Sequence, residues 1–492
     1  MALKDVSVFA TGDWPRTLWP MRLEKVLFQH FFKLVDEACE RSGVYSVDGE
    51  PSGLRPCITV FSAKNGYHCR RSPKPDPMIA WFLYRWAYSN RAKFRKPHDR
   101  RRTSFGYRFY EGHPIPVDVA IQRFRSCAYY CRVNSDRKYL KCDISHFFNS
   151  LYHHDIPKQL QLGGLELSEV NVLARALRWI SAGRSVDCLP QGLYPTKMIG
   201  SYVLVPIDND TRITSAQLFR VMDDYILRDE SAARLEDDFH QIQMLFGNLG
   251  LGVNEGKTRM PDAAGADDED DISGGEMTLG ERATVGVVSG EKIELGLRFS
   301  RREAATSSDL PAIVRSVLRY PDLIKRFALW CRMVPDAQEL ARVLAAEIAL
   351  AKREMGRTLT DYQLFWLAHI ADERLADAST MGDIITFILD STSSVIVRAR
   401  ALEIPIQKFN LPARREHYMK SGSCWEQWCA GIGMLKSPTA SRNQLAKYIK
   451  NDGEMGRLMA EVVNNLDPDQ HDVDWASDFY SRRPERPHVD EV

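Results

Sequence analysis

At 492 residues the chain has length for about three domains. Its 44% apolar and 27% charged residues match an ordinary soluble globular protein, which excludes disorder as the main state and a fibrous repeat. No run of about 18 consecutive apolar residues exists, so no transmembrane helix is expected.

The first 20 residues, MALKDVSVFATGDWPRTLWP, lack a continuous apolar stretch, so no signal peptide is expected. Ten cysteines are scattered without CxxC pairs, which fits reduced thiols of a cytoplasmic protein and gives no zinc spacing. Residues 1–140 mix helices with basic loops; HFFKLVDEACE and DPMIAWFLYRWAYSN both carry helical periodicity. The net charge of +1 conceals a segregation: residues 51–142 hold 20 Lys and Arg against 5 acids. The densest part interleaves Arg95, Lys96, Arg100, Arg101 and Arg102 with Phe94, Phe105, Tyr107, Phe109 and Tyr110. Cations for phosphates beside rings for bases suit single-stranded nucleic acid. The alternative is a solvated charged face with its aromatics turned to the core.

Residues 141–260 alternate short β-like runs with helical ones and hold four chemically informative segments. An apolar run ends at Asp143 and passes at once into helical spacing through Phe148. Leu189-Pro-Gln191-Gly192 forms a turn before an apolar helix, LYPTKMIGSYVLVPID. Two β-like runs meet at Asp223-Asp224, so a hairpin would carry both carboxylates at its tip. Leu249-Gly-Leu-Gly-Val-Asn254 then leads to Lys257-Thr258.

Nucleotidyl transfer accounts for these residue types together. Two Mg²⁺ ions, about 3.5–4 Å apart, clamp the attacking and leaving oxygens, and hard cations take carboxylate ligands. Asp143 and Asp223 would bridge the ions, Asp224 would add a carboxylate, and Lys257 would neutralise or protonate the departing pyrophosphate. Taken singly, each has a structural explanation: an acidic pair is common turn chemistry, and Asp143 could cap a helix. Their joint order is more specific.

The remainder divides into residues 261–305 and 306–492. The first includes an acidic insertion, with Asp267 to Asp271 among glycines and alanines, and a hairpin turning at Ser289-Gly290. The second reads as almost wholly helical, with apolar stripes suited to core packing, including Trp425 and Trp428.

The segments Asp-x-x-x-Phe-Phe-Asn-Ser, Pro-Gln-Gly, x-Met-Asp-Asp and Leu-Gly-Leu-x-x-Asn-x-x-Lys-Thr resemble palm motifs A to D of reverse transcriptases, in the family's order, over residues 55–260. DISHFFNSLYHHDIP is most similar to bacterial defence-associated and abortive-infection enzymes. The resemblance implies an α+β right-hand polymerase: fingers in 1–140, palm in 141–260, an insertion and linker in 261–305, and a thumb-like or helical-repeat domain in 306–492. It implies two Mg²⁺ ions, replaceable by Mn²⁺, held by Asp143, Asp223 and Asp224. Phe148 would be the steric gate against a ribose 2′-hydroxyl, Gln191 and Gly192 would shape the nucleotide pocket, Arg108 would grip the triphosphate, and Lys257 would act on pyrophosphate. Implied partners are an RNA template or noncoding RNA, a DNA product, dNTPs, and a second copy or a defence protein, without a membrane.

Val221 departs from the family, which places Tyr or Phe two residues before the acidic pair. The open alternatives are an RNA-dependent RNA polymerase, an untemplated or protein-primed DNA polymerase, and an inactive polymerase fold serving as an RNA-binding or assembly module.

Overall fold

A computed structural model describes residues 2–48, 51–63, 68–95, 99, 101–133, 137–259, 295, 298–299, 309–354, 359–375, 378–405, 411–435, 441–449 and 453–466. The acidic run Asp267–Asp271 and the expected hairpin at Ser289-Gly290 lie outside the described residues. No helix among the described residues is long and apolar enough to cross a membrane.

The chain begins with α1 (Leu3–Asp13), α2 (Arg22–His30) and α3 (Phe32–Ser42). An antiparallel hairpin follows, β1 (Ile58–Ala63) with β2 (Cys69–Lys74), in which Ser62 faces Arg70 and Phe61 faces Arg71. The next helix, α4 (Pro77–Ser89), starts where local chemistry dictates. Asp76 accepts a hydrogen bond from Ile79 N at 2.8 Å, and Pro77 occupies the first turn, where its missing N–H costs nothing. Almost every α4 side chain is buried, including Trp81, Phe82 and Tyr84.

Next come three short strands, β3 (Arg102–Ser104), β4 (Phe109–Tyr110) and β5 (His113–Pro114), and the helix α5 (Val117–Val133). Then follow β6 (Lys138–Asp143), α6 (Phe147–Ser150), α7 (Asp155–Leu162), α8 (Leu167–Ile180), α9 (Tyr194–Val203) and α10 (Val205–Asp208). The hairpin β7 (Gln217–Val221) and β8 (Asp224–Asp229) precedes α11 (Ala232–Gly247). The central sheet has the order β3-β7-β8-β6, with β3 parallel to β7 and the other pairs antiparallel. The fold is therefore mixed, with a small sheet among many helices. β3 belongs to this sheet although it lies in the basic stretch before residue 140, so that stretch does not form a body separate from the sheet.

The described residues from 310 onward are mostly helical, as their periodicity predicts: α12 (Leu310–Arg319), α13 (Ile324–Trp330), α14 (Ala337–Glu354), α15 (Asp361–Arg374), α16 (Ala378–Ser391), α17 (Val395–Leu402), α18 (Pro412–Ser421), α19 (Cys424–Gly433), α20 (Arg442–Ile449) and α21 (Gly453–Asn465). Capping boxes start two of them, at Thr360 with Gln363 and at Ser423 with Glu426. Trp425 and Trp428 are buried in this core.

These helices fold back on the start of the chain. α15 packs on β1, α19 on α2 and α21 on α3. Apolar and ionic contacts hold the seam. The Trp19 ring meets Tyr362 and Phe365 edge-on at 5.4 and 4.9 Å. The Arg22 guanidinium lies 2.7 Å from Asp372, and Arg400 lies 3.0 Å from Asp372 and 3.3 Å from Glu403. The Glu403 carboxylate also accepts from the N–H groups of Arg22 and Leu23, at 2.8 and 3.0 Å. Every charge named here is buried and has an opposite charge beside it.

Candidate metal centre

Strand register creates the site. β6 and β8 pair so that Asp143 lies directly opposite Asp224, and β7 and β8 pair so that Val221 also faces Asp224. Only Met222 and Asp223 remain for the hairpin turn. Met222 takes the left-handed conformation, φ +53°, at a cost of roughly 1–2 kcal/mol for a residue with a side chain. Neighbouring structure holds it there. The Arg220 guanidinium donates to Met222 O and to Ser201 O, both at 3.0 Å. It also pairs with Asp208 at 2.9 and 3.0 Å, both partners being fully buried. The hairpin tip is thus fastened to α9 and α10. Asp143 does not cap the following helix, since His146 occupies that position before α6.

Oxygens of Asp143, Asp223 and Asp224 lie within 4.8 Å of one another. Asp143 is almost fully buried and the other two are half-buried. Burial and then the charge of Asp143 push the Asp223 carboxyl up to about 6; burial, then Asp223, push Asp224 up to about 7. The segment after α11 closes one side. Asn254 N donates to Asp143 O at 2.7 Å, Asn254 Nδ2 lies 3.3 Å from Asp143 Oδ2, and Lys257 Nζ lies 3.4 Å from the same oxygen. Three clustered carboxylates, with one ammonium beside them, are a donor set that fits a hard divalent cation such as Mg²⁺.

α6 carries Phe147 and Phe148, and α9 supports them. A Cβ added at Gly200 would stand 3.1 Å from Phe147 Cε1, 3.3 Å from Phe148 Cε1 and 3.6 Å from Met222 Cε. The bare helix face therefore seats both rings against the hairpin tip. Phe147 is buried and Phe148 half-buried.

Gln191 and Gly192 open the same helix. Gly192 has φ +99°, and a side chain there would press on Leu18 N at 2.9 Å, so this turn needs glycine. Gln191 Nε2 donates to Asn149 Oδ1 at 2.9 Å, and Asn149 Nδ2 donates to Asp187 at 2.7 Å. Asp187 is buried and pairs with Arg71 of β2 at 2.7 Å. This chain joins the residue after Phe148, the turn before α9 and the β1–β2 hairpin in one network.

The cations distribute differently from the sequence expectation. Arg70, next to Arg71, is the hairpin arginine whose charge lowers the Asp223 pKa. Arg108 does not join the network; it donates to Ser104 O at 2.7 Å and lines a separate cavity. Arg102 departs from the expectation of an exposed cation: β3 carries it into the sheet, where its guanidinium is buried on the carbonyls of Ser215 (3.1 Å) and Ile213 (2.5 Å). Arg101 is exposed but forked onto Asp99 at 2.7 Å. Arg95 is exposed, and Lys96 and Arg100 lie outside the described residues. Phe94 and Tyr107 are buried, so for them the core alternative holds. In the sequence Arg70 and Arg71 are two cations among the 20 of the basic stretch, and the β1–β2 pairing is what singles them out.

No protein-family model and no curated protein matches the chain. Among solved structures it is similar to telomerase from Candida albicans, in complex with the TWJ fragment of telomeric RNA, at 13% identity and TM-score 0.32. That likeness covers 68% of this chain and 66% of the telomerase chain. It is also similar to apo telomerase from Candida tropicalis, at 10% identity and TM-score 0.30, covering 85% of this chain and 73% of that one. The chain thus spans just under two thirds of the first of these telomerases.

Proposed function

We propose that the chain is a reverse-transcriptase-like nucleotidyltransferase that extends a nucleic-acid 3′ end with deoxynucleotides. The observation that carries the reading is the register that sets Asp143 opposite Asp224, with Asp223 at the adjoining turn and Lys257 at 3.4 Å. In this reading β3, β6, β7 and β8 are the palm, and the β1–β2 hairpin belongs to the fingers.

Asp143, Asp223 and Asp224 would hold two Mg²⁺ ions, which when bound supply positive charge to the reacting phosphate oxygens. Lys257 would neutralise pyrophosphate as the α-phosphorus bond to it breaks and the bond to the primer 3′-oxygen, freed of its proton, forms. Arg70 adds positive charge from the hairpin side for the triphosphate. The Gln191–Asn149–Asp187–Arg71 network fixes the wall of the nucleotide pocket, so that positioning requires little reorganisation during the reaction. Phe148 presents an apolar ring beside the hairpin tip, which would leave a ribose 2′-hydroxyl without a hydrogen-bond partner.

The similarity of DISHFFNSLYHHDIP to defence-associated enzymes extends the proposal to a cytoplasmic bacterial antiviral role. The test is Mg²⁺-dependent incorporation of mixed dNTPs by the full chain, with and without an RNA template. Template-dependent DNA synthesis is the expected result. Synthesis without template selects the untemplated alternative, and no incorporation with either Mg²⁺ or Mn²⁺ overturns the enzyme reading.

A further inference from the structure

A cavity of about 490 Å³ lies between the turn after α4 and the β4–β5 turn, with Arg91, Phe94, Arg95, Arg108, Tyr110 and Glu111 among its lining residues. Ligand sites typically have volumes in this range. Its charge is one-sided: three guanidiniums face one acid, the exposed Glu111.

None of the three arginines has a carboxylate partner among the described residues. Arg91 donates to Tyr88 O at 2.7 Å and lies over the Tyr88 ring at 4.0 Å. Arg95 has a long contact of 3.5 Å to Ala92 O, and Arg108 donates one N–H to Ser104 O. A guanidinium carries five donors, so these contacts leave donor capacity unused. Burial pushes the Arg108 guanidinium down to about 10; Tyr194 opposes this and the charges of Arg123 and Arg220 add to it. Elsewhere the protein satisfies some buried arginines with acids, as Arg220 with Asp208 and Arg22 with Asp372, and others with several backbone carbonyls, as Arg102 with two and Arg175 with three. Arg108, with one carbonyl, is less fully satisfied than either of these.

We propose that this cavity is a phosphate-binding site, distinct from the carboxylate centre, that holds the backbone of a single nucleic-acid strand. The proposal rests on the polymerase reading for the kind of ligand and on the cavity for the place. Two half-buried cations with an exposed one beside them match an extended series of singly charged phosphates, while Tyr110 offers a half-buried ring at the wall.

The experiment measures binding of a short labelled single-stranded RNA to the full chain by fluorescence anisotropy, without divalent metal, over a range of salt. Arg91→Gln with Arg95→Gln should weaken binding about fivefold or more and flatten the slope of log K against log salt by about one unit per lost contact. Arg91→Lys with Arg95→Lys should restore most of the slope. Arg108→Gln provides the deep-site counterpart, but its bond to Ser104 O helps hold β3, so the rim pair carries the test. Unchanged affinity and slope in the folded rim variant overturn the proposal. So does displacement of the RNA from this site by equimolar free dATP, which would make it a mononucleotide pocket. Failure of the polymerase reading is seen separately, as absence of metal-dependent incorporation by wild type.

Discussion

Three carboxylates meet at the tip of the β7–β8 hairpin, and two meet at the seam where the start of α2 reaches Asp372 of α15 and Glu403 just after α17. At the seam, Asp372 and Glu403 face Arg22 and Arg400, and Glu403 takes two backbone N–H groups besides. At the hairpin tip, Lys257 reaches Asp143, while burial and mutual repulsion push Asp223 and Asp224 up. Matched buried charge holds two parts of a chain in register, whereas an excess of like charge is costly until a cation arrives. The first arrangement is architecture, and the second is what the proposed metal site requires.

The largest expected effect separates the two directly. Asp223→Asn with Asp224→Asn should lower Mg²⁺-dependent incorporation by at least about 10³-fold, because two of the three proposed metal ligands are gone. The same variant should keep or raise its thermal midpoint, since it removes repulsion rather than a partner. Residual incorporation within tenfold of wild type would remove these residues from the chemistry, and a large fall in midpoint would show that the trio is architectural.

The seam predicts the reverse. Asp372→Asn leaves Arg22 and Arg400 without their shared carboxylate, and breaking a buried pair this way costs about 3–5 kcal/mol. Urea unfolding should show that loss, while incorporation per folded molecule stays at the wild-type level. A loss below about 1 kcal/mol would mean that the seam's packing, not its charge, joins the two ends of the chain.

A third kind of acid sharpens the comparison, because backbone amides rather than cations hold it. Asp76 accepts from Ile79 N and Arg55 N, and burial pushes its carboxyl up to about 6. A carboxyl whose pKa rises on folding binds its proton more tightly in the folded state, so stability is greatest below about pH 4 and falls as pH climbs through 6. The loss is at most about 3 kcal/mol for a shift of this size. Asp76→Asn keeps a capping side chain and removes the titration, so its unfolding free energy should vary less between pH 4 and 6 than that of wild type. Parallel pH profiles would assign the dependence to other groups.

What could be read from the sequence follows the range of the interactions. The acidic hairpin and the strand ending at Asp143 were legible, because alternation, a two-residue turn and an apolar run act over a few neighbouring positions. The helical nature of residues 310–402 was legible for the same reason. The role of Arg102 was not: charge counting registers a cation, but only the pairing of β3 with β7 sends this one to the carbonyls of Ser215 and Ile213. The seam was equally hidden, since Arg22 and Asp372 are 350 positions apart and neither neighbourhood announces its partner. Arg70 and Arg71 stood within a recognised basic stretch, yet only the hairpin register distinguishes them from its other cations.

The smallest effect concerns the choice of sugar, and it tests whether the hairpin tip is a nucleotide site as well as a metal site. Gly200 lets Phe147 and Phe148 lie against α9, with Met222 of the turn beside them. The two rings meet edge to face at 5.3 Å, but Phe147 is only 1% exposed while Phe148 is half-buried. Truncating them should therefore have different consequences. Phe147→Ala empties a core position and should cost about 3–5 kcal/mol of stability, leaving the ratio of dNTP to rNTP incorporation unchanged. Phe148→Val opens space beside the nucleotide and should shift that ratio towards ribonucleotides by about tenfold, equivalent to about 1.4 kcal/mol. Gly200→Ala provides an independent approach, because its methyl group would crowd both rings from the helix side and should alter the same ratio without changing any polar group. Steady-state incorporation of matched deoxy- and ribonucleotides by the folded variants decides between them. A ratio that moves with Phe147 but not Phe148 exchanges their roles, and a wild-type preference for ribonucleotides replaces DNA synthesis with RNA synthesis as the reaction of this centre.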